Sequence, residues 1–376
     1  MQRRIVASLL ALPLFLLGPL SATAQTPASS TAQRALQWLQ CTQQQASGQI
    51  GTNGNPIARS SEVAIGLAAA GQQASVMRTG TKSLADYLAT ATSTDVGTNG
   101  ELLLARASVT DAGPIATVAA QLQAAKGASG EYGGDIYSDA LAILGLSAAG
   151  QTVADDAVAF LEAQQKASGG WSADNADQYG EDSNTTALVI QALVSTGVAS
   201  TDPTITKAFA YLQSVFGGGG FGSSPGAGPD PNSDELAIQA IVAAHEQSDA
   251  AWQTRLDQAL SYLAGQQIGS GADTGAIASP YSKLFATTDA PAAFLGRPFT
   301  ARGVSESVVP LLVCPAATTA TPTPPPTAAP RPTASTAPIL AQTGHPLDLR
   351  PLLGGFALIV LALGLLWGPR RGARNS

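Results

Sequence analysis

Phe160-Leu161-Glu162-Ala163-Gln164-Gln165-Lys166-Ala167-Ser168-Gly169-Gly170-Trp171 has the form aromatic-Leu-x3-Gln-x3-Gly-x-Trp, and looser copies of it stand along the chain. Leu122, Lys126, Gly130 and Tyr132 keep the spacing. Tyr211, Leu212, Phe216, Gly220 and Phe221 keep it with one residue lost before the aromatic. Trp38, Leu39 and Gln43, then Tyr262, Leu263 and Gln267, keep the front half, and a decayed copy starts at Tyr87-Leu88. Apolar, small-residue runs follow at 63–70, 140–149, 187–196 and 236–244. One helical hairpin cannot bury its apolar face alone, so copies about 35 to 50 residues apart predict hairpins stacked side by side.

The repeated residues have packing roles. Leu and the aromatic fit between an outer helix and its inner partner, Gln can bond the backbone at a neighbouring repeat's helix end, and Gly permits a tight turn. Across 376 residues, 45% hydrophobic content with only 5% aromatics predicts Ala-rich helices in close contact. A net charge of -7 without a Lys/Arg cluster in the body excludes a nucleic-acid partner, which needs clustered cations for the phosphates. Glycine and proline in 217–220 and 223–231 predict a loop without regular structure.

The ends predict export and display. Arg3-Arg4, an apolar run at 5–20 and Ala22-Thr23-Ala24 read as a signal peptide over 1–24, cleaved before Gln25; an uncleaved anchor is the alternative. The body over 25–315 is followed at 316–339 by a Pro/Thr/Ala-rich stalk, which favours extended chain over a core. An apolar stretch at 351–368 reads as one transmembrane helix, with Arg370, Arg371 and Arg374 in a cytoplasmic tail at 369–376. Leu340-Ala341-Gln342-Thr343-Gly344, ahead of that stretch, resembles the Leu-Ala-x-Thr-Gly variant of a sortase sorting signal. The resemblance implies sortase and the cell wall as partners and Thr343 as attachment point. A plain membrane anchor is the alternative.

The repeat copies, with the run Glu181-Asp182-Ser183-Asn184-Thr185-Thr186-Ala187-Leu188 among them, resemble the α/α-toroid superfamily over about 31–314. That superfamily holds squalene and other terpene cyclases, protein prenyltransferase β-subunits and cobalamin carriers. The resemblance implies an all-α fold, an α/α toroid of about six helical hairpins. In such a ring the first and last units are neighbours, so Cys41 and Cys314 would staple the closure as a disulfide, with two free thiols the alternative.

The catalytic motifs of the superfamily are missing. No Asp-x-Asp-Asp occurs, and Asp155-Asp156 begins an Asp-Asp-x-x-Asp pattern that Ala159 breaks. With His245 and His345 the only histidines, no Asp/Cys/His zinc set can be assembled. The readings that remain are a non-catalytic, monomeric surface module binding at the rim of the ring, capture of a corrinoid-like small molecule, and a divergent cyclase-like enzyme acting on a lipid. The last predicts an apolar tunnel and a perturbed acid such as Asp139, Asp182 or Asp234.

Candidate ligand-binding residues are the polar and aromatic groups before the inner helices: Tyr132, Asp135, Asp139, Trp171, Tyr179, Asp182, Asn184, Phe221 and Asp234. Aromatics there could stack on a sugar or flat cofactor, and the oxygens suit Ca2+. No cofactor is otherwise implied, and the competing explanation for the acids is helix capping.

Overall fold

The inner helices are built from Ala, Leu and Ile on nearly every face, which suits a helix with neighbours all round and no solvent side. In the computed structural model, which describes residues 27–174 and 180–315, they are α2 (Pro56–Ala69), α4 (Val96–Ser108), α6 (Ile136–Ala148), α8 (Ser183–Ser195), α10 (Pro231–Ala243) and the broken pair α12 (Lys283–Thr288) and α13 (Ala290–Phe294). Each packs on the next, and α13 returns to α2, closing a ring. The outer helices are α1 (Pro27–Trp38), α3 (Leu84–Thr90), α5 (Ala116–Ala125), α7 (Asp155–Ala163), α9 (Pro203–Ser214) and α11 (Ala250–Gly265). The result is six antiparallel hairpins in a toroid. The signal peptide, stalk, sorting motif, apolar C-terminal stretch, basic tail and Tyr179 lie outside the described residues. Among the described residues no helix is long and apolar enough to cross a membrane.

The repeat residues lock each hairpin to the next. Gln165 Nε2 donates to Gly169 O of its own turn and to Thr204 O at the start of α9. Gln267 Nε2 bridges Gly275 O and, across the closure, Thr31 O of α1. The adjacent glycine lies against the same neighbour: a Cβ on Gly169 would sit 2.2 Å from Lys207 O, and one on Gly275 2.3 Å from Arg34 O. Both have φ near +100° (+99° and +98°), so glycine is required by conformation and by space.

Two expectations need correction, and a third, the decayed second copy, holds. In the first copy the bridging side chain is Gln44, which donates to Gly48 O and Met77 O, because the π turn Leu39–Gln43 inserts a residue and moves the position on from Gln43. The decayed second copy is a real hairpin whose turn carbonyls, Leu88 O and Ala91 O, accept from the Arg106 guanidinium of α4. Finally, residues 217–220 are part of a β-hairpin, β3 (Phe216–Gly217) on β4 (Gly220–Phe221), turning through Gly218 and Gly219 at φ +61° and +88°. Two consecutive positive φ values are what a two-residue hairpin turn demands.

After α13 the chain crosses the end of the ring where the inner helices finish. Phe299 N donates to Gln191 Oε1 of α8, Arg302 reaches Ser147 O of α6, and Ser305 N and Val309 N bond Ala68 O and Ala70 O at the end of α2. This strap satisfies carbonyls that helix ends leave open. Cys314 then joins Cys41 in a disulfide spanning 273 residues.

Candidate functional site: the inner-helix rim and the ring axis

At the other end of the ring, the N-terminal rim, each inner helix starts from a capping side chain. Asn55, Asp95, Asp135, Asp182, Asp230 and Ser282 each accept a backbone N–H from the first turn of their helix. Asp135 and Asp182 are therefore capping groups, and both, with Asn184, keep part of their surface open. Burial raises the pKa of Asp182 to about 6 against the lowering effect of the Thr185 hydrogen bonds.

One turn deeper lies a second row. Ser60, Asp139, Thr186, Asp234 and Thr287 accept the backbone N–H of Ile50, Tyr132, Trp171, Phe221 and Ile277, the residues at the aromatic position of the repeat. This row pins each turn onto its inner helix. Asp139 and Asp234 belong to it, 1% and 0% exposed. Burial raises Asp139 to about 6 and Asp234 well above the carboxylate range, in spite of the N–H groups they accept.

The eight sequence candidates among the described residues thus separate. Tyr132, Trp171 and Phe221 are interior side chains, and Trp171 Nε1 is committed to Leu161 O, so none offers a ring face for stacking at the rim. Asp139 and Asp234 lie beneath the surface, while Asp135, Asp182 and Asn184 reach it.

The sequence candidates do not include the residues that closure of the ring brings to its axis. Glu62 of α2, Glu101 of α4, Tyr137 of α6 and Asp289 between α12 and α13 line a small cavity with Ile65, Leu104, Leu141, Leu236 and Phe299 of the strap. Its volume is about 10 Å³, room for one water-sized group. Glu62 is paired: Arg59 Nη1 approaches its two oxygens at 2.6 and 2.5 Å, and the Arg59 guanidinium lies 3.8 Å over the Phe285 ring. Glu101 and the neighbouring Glu235 of α10 are 8% and 0% exposed. Burial raises both well above the usual range, and nearby acids, Glu62 and Asp289 among them, add to it; Asp289 rises through burial and the Glu62 charge. Glu101 Oε2, Asp289 Oδ1 and both Glu235 oxygens have no hydrogen-bond partner. Among the described residues no set of three His, Cys, Asp or Glu converges closely enough to hold a metal ion. A signal for these acids did exist: in Gly100-Glu101-Leu102-Leu103-Leu104 and Glu235-Leu236-Ala237-Ile238 a glutamate interrupts a run whose helix has no solvent face.

No family model matches the sequence, and neither does any curated protein. Solved structures do. The type II terpene cyclase MstE from Scytonema superposes with a TM-score of 0.51 at 14% identity, over 71% of this chain and 97% of that one. A protein from Actinoplanes gives 0.50 at 15% identity, over 72% and 99%. The ent-copalyl diphosphate synthase from Streptomyces platensis gives 0.47 at 15%, over 66% and 52%. The likeness to MstE shows the fold alone: the chain is an α/α toroid similar to that of this terpene cyclase.

Proposed function

We propose that the chain is exported, is displayed at the cell surface on its stalk, and acts there as a non-catalytic ring whose N-terminal rim meets an extracellular partner. The observation that carries the proposal is the filled axis. A pocket that encloses a lipid or a corrinoid measures about 300–1,000 Å³, against about 10 Å³ for the axial cavity; a wider cavity of about 560 Å³ lies off the axis, beside the Cys41–Cys314 disulfide. The repeat's Gln, Gly and aromatic residues are engaged in locking hairpins together, and the strap lies over the opposite end. Partly open polar groups, Asp135, Asp182 and Asn184, remain at the rim. Cleavage before Gln25 and attachment through Thr343, or retention by the apolar stretch, complete this proposal.

A cyclase-like enzyme is the second reading. The buried, proton-holding carboxyls favour it, since such groups gather at catalytic sites. The narrow axis and the packing duty of Asp139 and Asp234 weigh against it.

Native and denaturing mass spectrometry of the chain isolated from its own host tests both. The expected result is a mature chain starting at Gln25, oxidised at one disulfide, ending in a wall fragment on Thr343 or in the intact tail, and holding no lipid or corrinoid. A bound terpenoid or corrinoid released on denaturation would overturn the proposal.

A further inference from the structure

Every inner element around the axis brings a polar group to the central cavity or beside it, α8 through Gln191, which accepts from Phe299 N of the lining and whose Nε2 has no acceptor, and the donors and acceptors there do not all pair. From α2 come Arg59 and Glu62, paired through Arg59 Nη1 while Arg59 Nε has no acceptor, with Thr288 also donating to Glu62. From α4 comes Glu101, with Asp95 at the start of the same helix; from α6, Tyr137; from α10, Glu235, with Asp234 and Asp230 nearby; and between α12 and α13, Asp289. Beyond the Arg59–Glu62 pair, the other three carboxyls form no ion pair among the described residues, Arg59 acting on Glu101 and Asp289 only through space, and Glu101 Oε2, Asp289 Oδ1 and both Glu235 oxygens lack a donor. A buried acceptor without a donor costs about 1–3 kcal/mol, more when charged, so each such group calls for an occupant. Glu101, 8% exposed, both lines the cavity and carries an unpartnered oxygen.

We propose that the axial cavity is a binding site for a single primary ammonium group, held between the carboxylates of Glu101 and Asp289 with the Tyr137 ring beside it. Size, charge and geometry agree on this ligand. The space admits one water-sized group, which fits –NH3+ and excludes a quaternary ammonium. The surplus of carboxyls calls for a cation with several N–H donors. A metal ion needs several oxygens at about 2.0–2.6 Å, a convergence the described residues do not make. An ammonium group is served by two carboxylates and an aromatic ring, which also attracts cations. Tyr137 and Asp289, the partly exposed members of the lining, mark the way in from the N-terminal rim. The site does not depend on surface display, since its residues belong to the ring itself.

Binding replaces carboxyl protons by the ammonium charge. Affinity therefore rises with pH until the amine loses its own proton, near the lysine value of about 10.4 for an alkylamine. The test is the thermal unfolding midpoint of the full chain in methylammonium, tetramethylammonium or potassium chloride at equal ionic strength, at pH 6 and pH 8.5. Methylammonium near saturation is expected to raise the midpoint about 2–4 °C above the other two salts, more at pH 8.5 than at pH 6. Glu101→Gln, which keeps the shape and removes the charge, is expected to abolish the difference. Should that variant not fold, Asp289→Asn carries the same expectation. Equal midpoints in methylammonium and tetramethylammonium, a potassium effect as large as that of methylammonium, or an undiminished difference in the folded variant would each overturn the site.

Discussion

Replacing Gly169 and Gly197 by alanine separates two costs that most glycine substitutions confound. Both residues have φ +99°, so each variant bears the same left-handed strain, about 1–2 kcal/mol for an L-residue. Their surroundings differ. A Cβ on Gly197 meets nothing within 4 Å, whereas one on Gly169 falls 2.2 Å from Lys207 O and 2.7 Å from the same carbonyl's carbon. The obstacle is helix backbone and cannot swing aside, so α9 must move away from the α7 turn. That movement stretches the Gln165 bond to Thr204 O, 2.8 Å in the native ring, and the lost hydrogen bond adds about 0.5–1.5 kcal/mol to the cost of displacing the helix. The expected losses are about 1–2 kcal/mol for Gly197→Ala and about 2–5 kcal/mol for Gly169→Ala. Urea unfolding of both variants, with the disulfide intact and m-values compared, measures the difference directly. Equal losses to within about 0.5 kcal/mol would refute the claim that the repeat glycine is an interlock between hairpins, and would leave it a turn residue.

Gln267→Leu removes the Nε2 donor that bridges Thr31 O and Gly275 O across the ring closure and is expected to lose about 1–3 kcal/mol by urea unfolding. Replacing Cys41 and Cys314 by serine frees a 273-residue loop in the unfolded chain, worth about 5 kcal/mol in the chain-entropy account, and chemical unfolding of the double variant should register most of that loss. Stability should fall as pH rises. Asp139, held by burial at about 6 against an unfolded value near 3.9, keeps its proton in the fold after the unfolded chain has released it, so its contribution is present below about pH 4 and is lost as pH rises through 6. The loss is of the order of 3 kcal/mol, and Asp139→Asn, which keeps the acceptor for Tyr132 N, should flatten that part of a stability–pH profile.

How much of this was legible in the sequence follows from what each residue does. The hairpins could be read because Leu, Gln and Gly at fixed spacing serve one local purpose repeated around the ring, and the Gln165 and Gln267 bridges match that purpose. The first copy misled by one residue because a π turn changes the register without changing the composition. The caps Asp135 and Asp182 were also legible, as acids standing just before apolar runs. The burial of Tyr132, Trp171 and Phe221 was not legible because a sequence gives a residue's distance along the chain but not which side of a turn faces inward. Trp171 lies between its outer helix and its turn, with both ring and backbone nitrogens engaged. Glu101, Glu235 and Asp289 escaped notice because they sit far apart in the chain, and only closure of the ring makes them neighbours.

Closure also explains why the axis can be both filled and polar. Helices of small residues approach closely: a Cβ on Gly100 of α4 would lie 2.5 Å from Leu141 O of α6, so the wall there is set at backbone contact. A bore this narrow leaves no space for an apolar ligand, yet an acid on the first two turns of an inner helix lies near the favourable N-terminal end of its dipole. Six such ends face one rim, which offsets part of the desolvation of Glu62, Glu101 and Glu235 and is why the acids occupy that half of the ring. The offset is partial, since their pKa values are still raised by burial. A ring stabilised only by packing would carry leucine at these positions, because buried ionisable groups are replaced by apolar ones at no loss, or with a gain, when they have no partner to serve. Retaining three unpaired carboxyls around a water-sized cavity costs stability, and a cationic ligand supplies the compensation that the fold itself lacks.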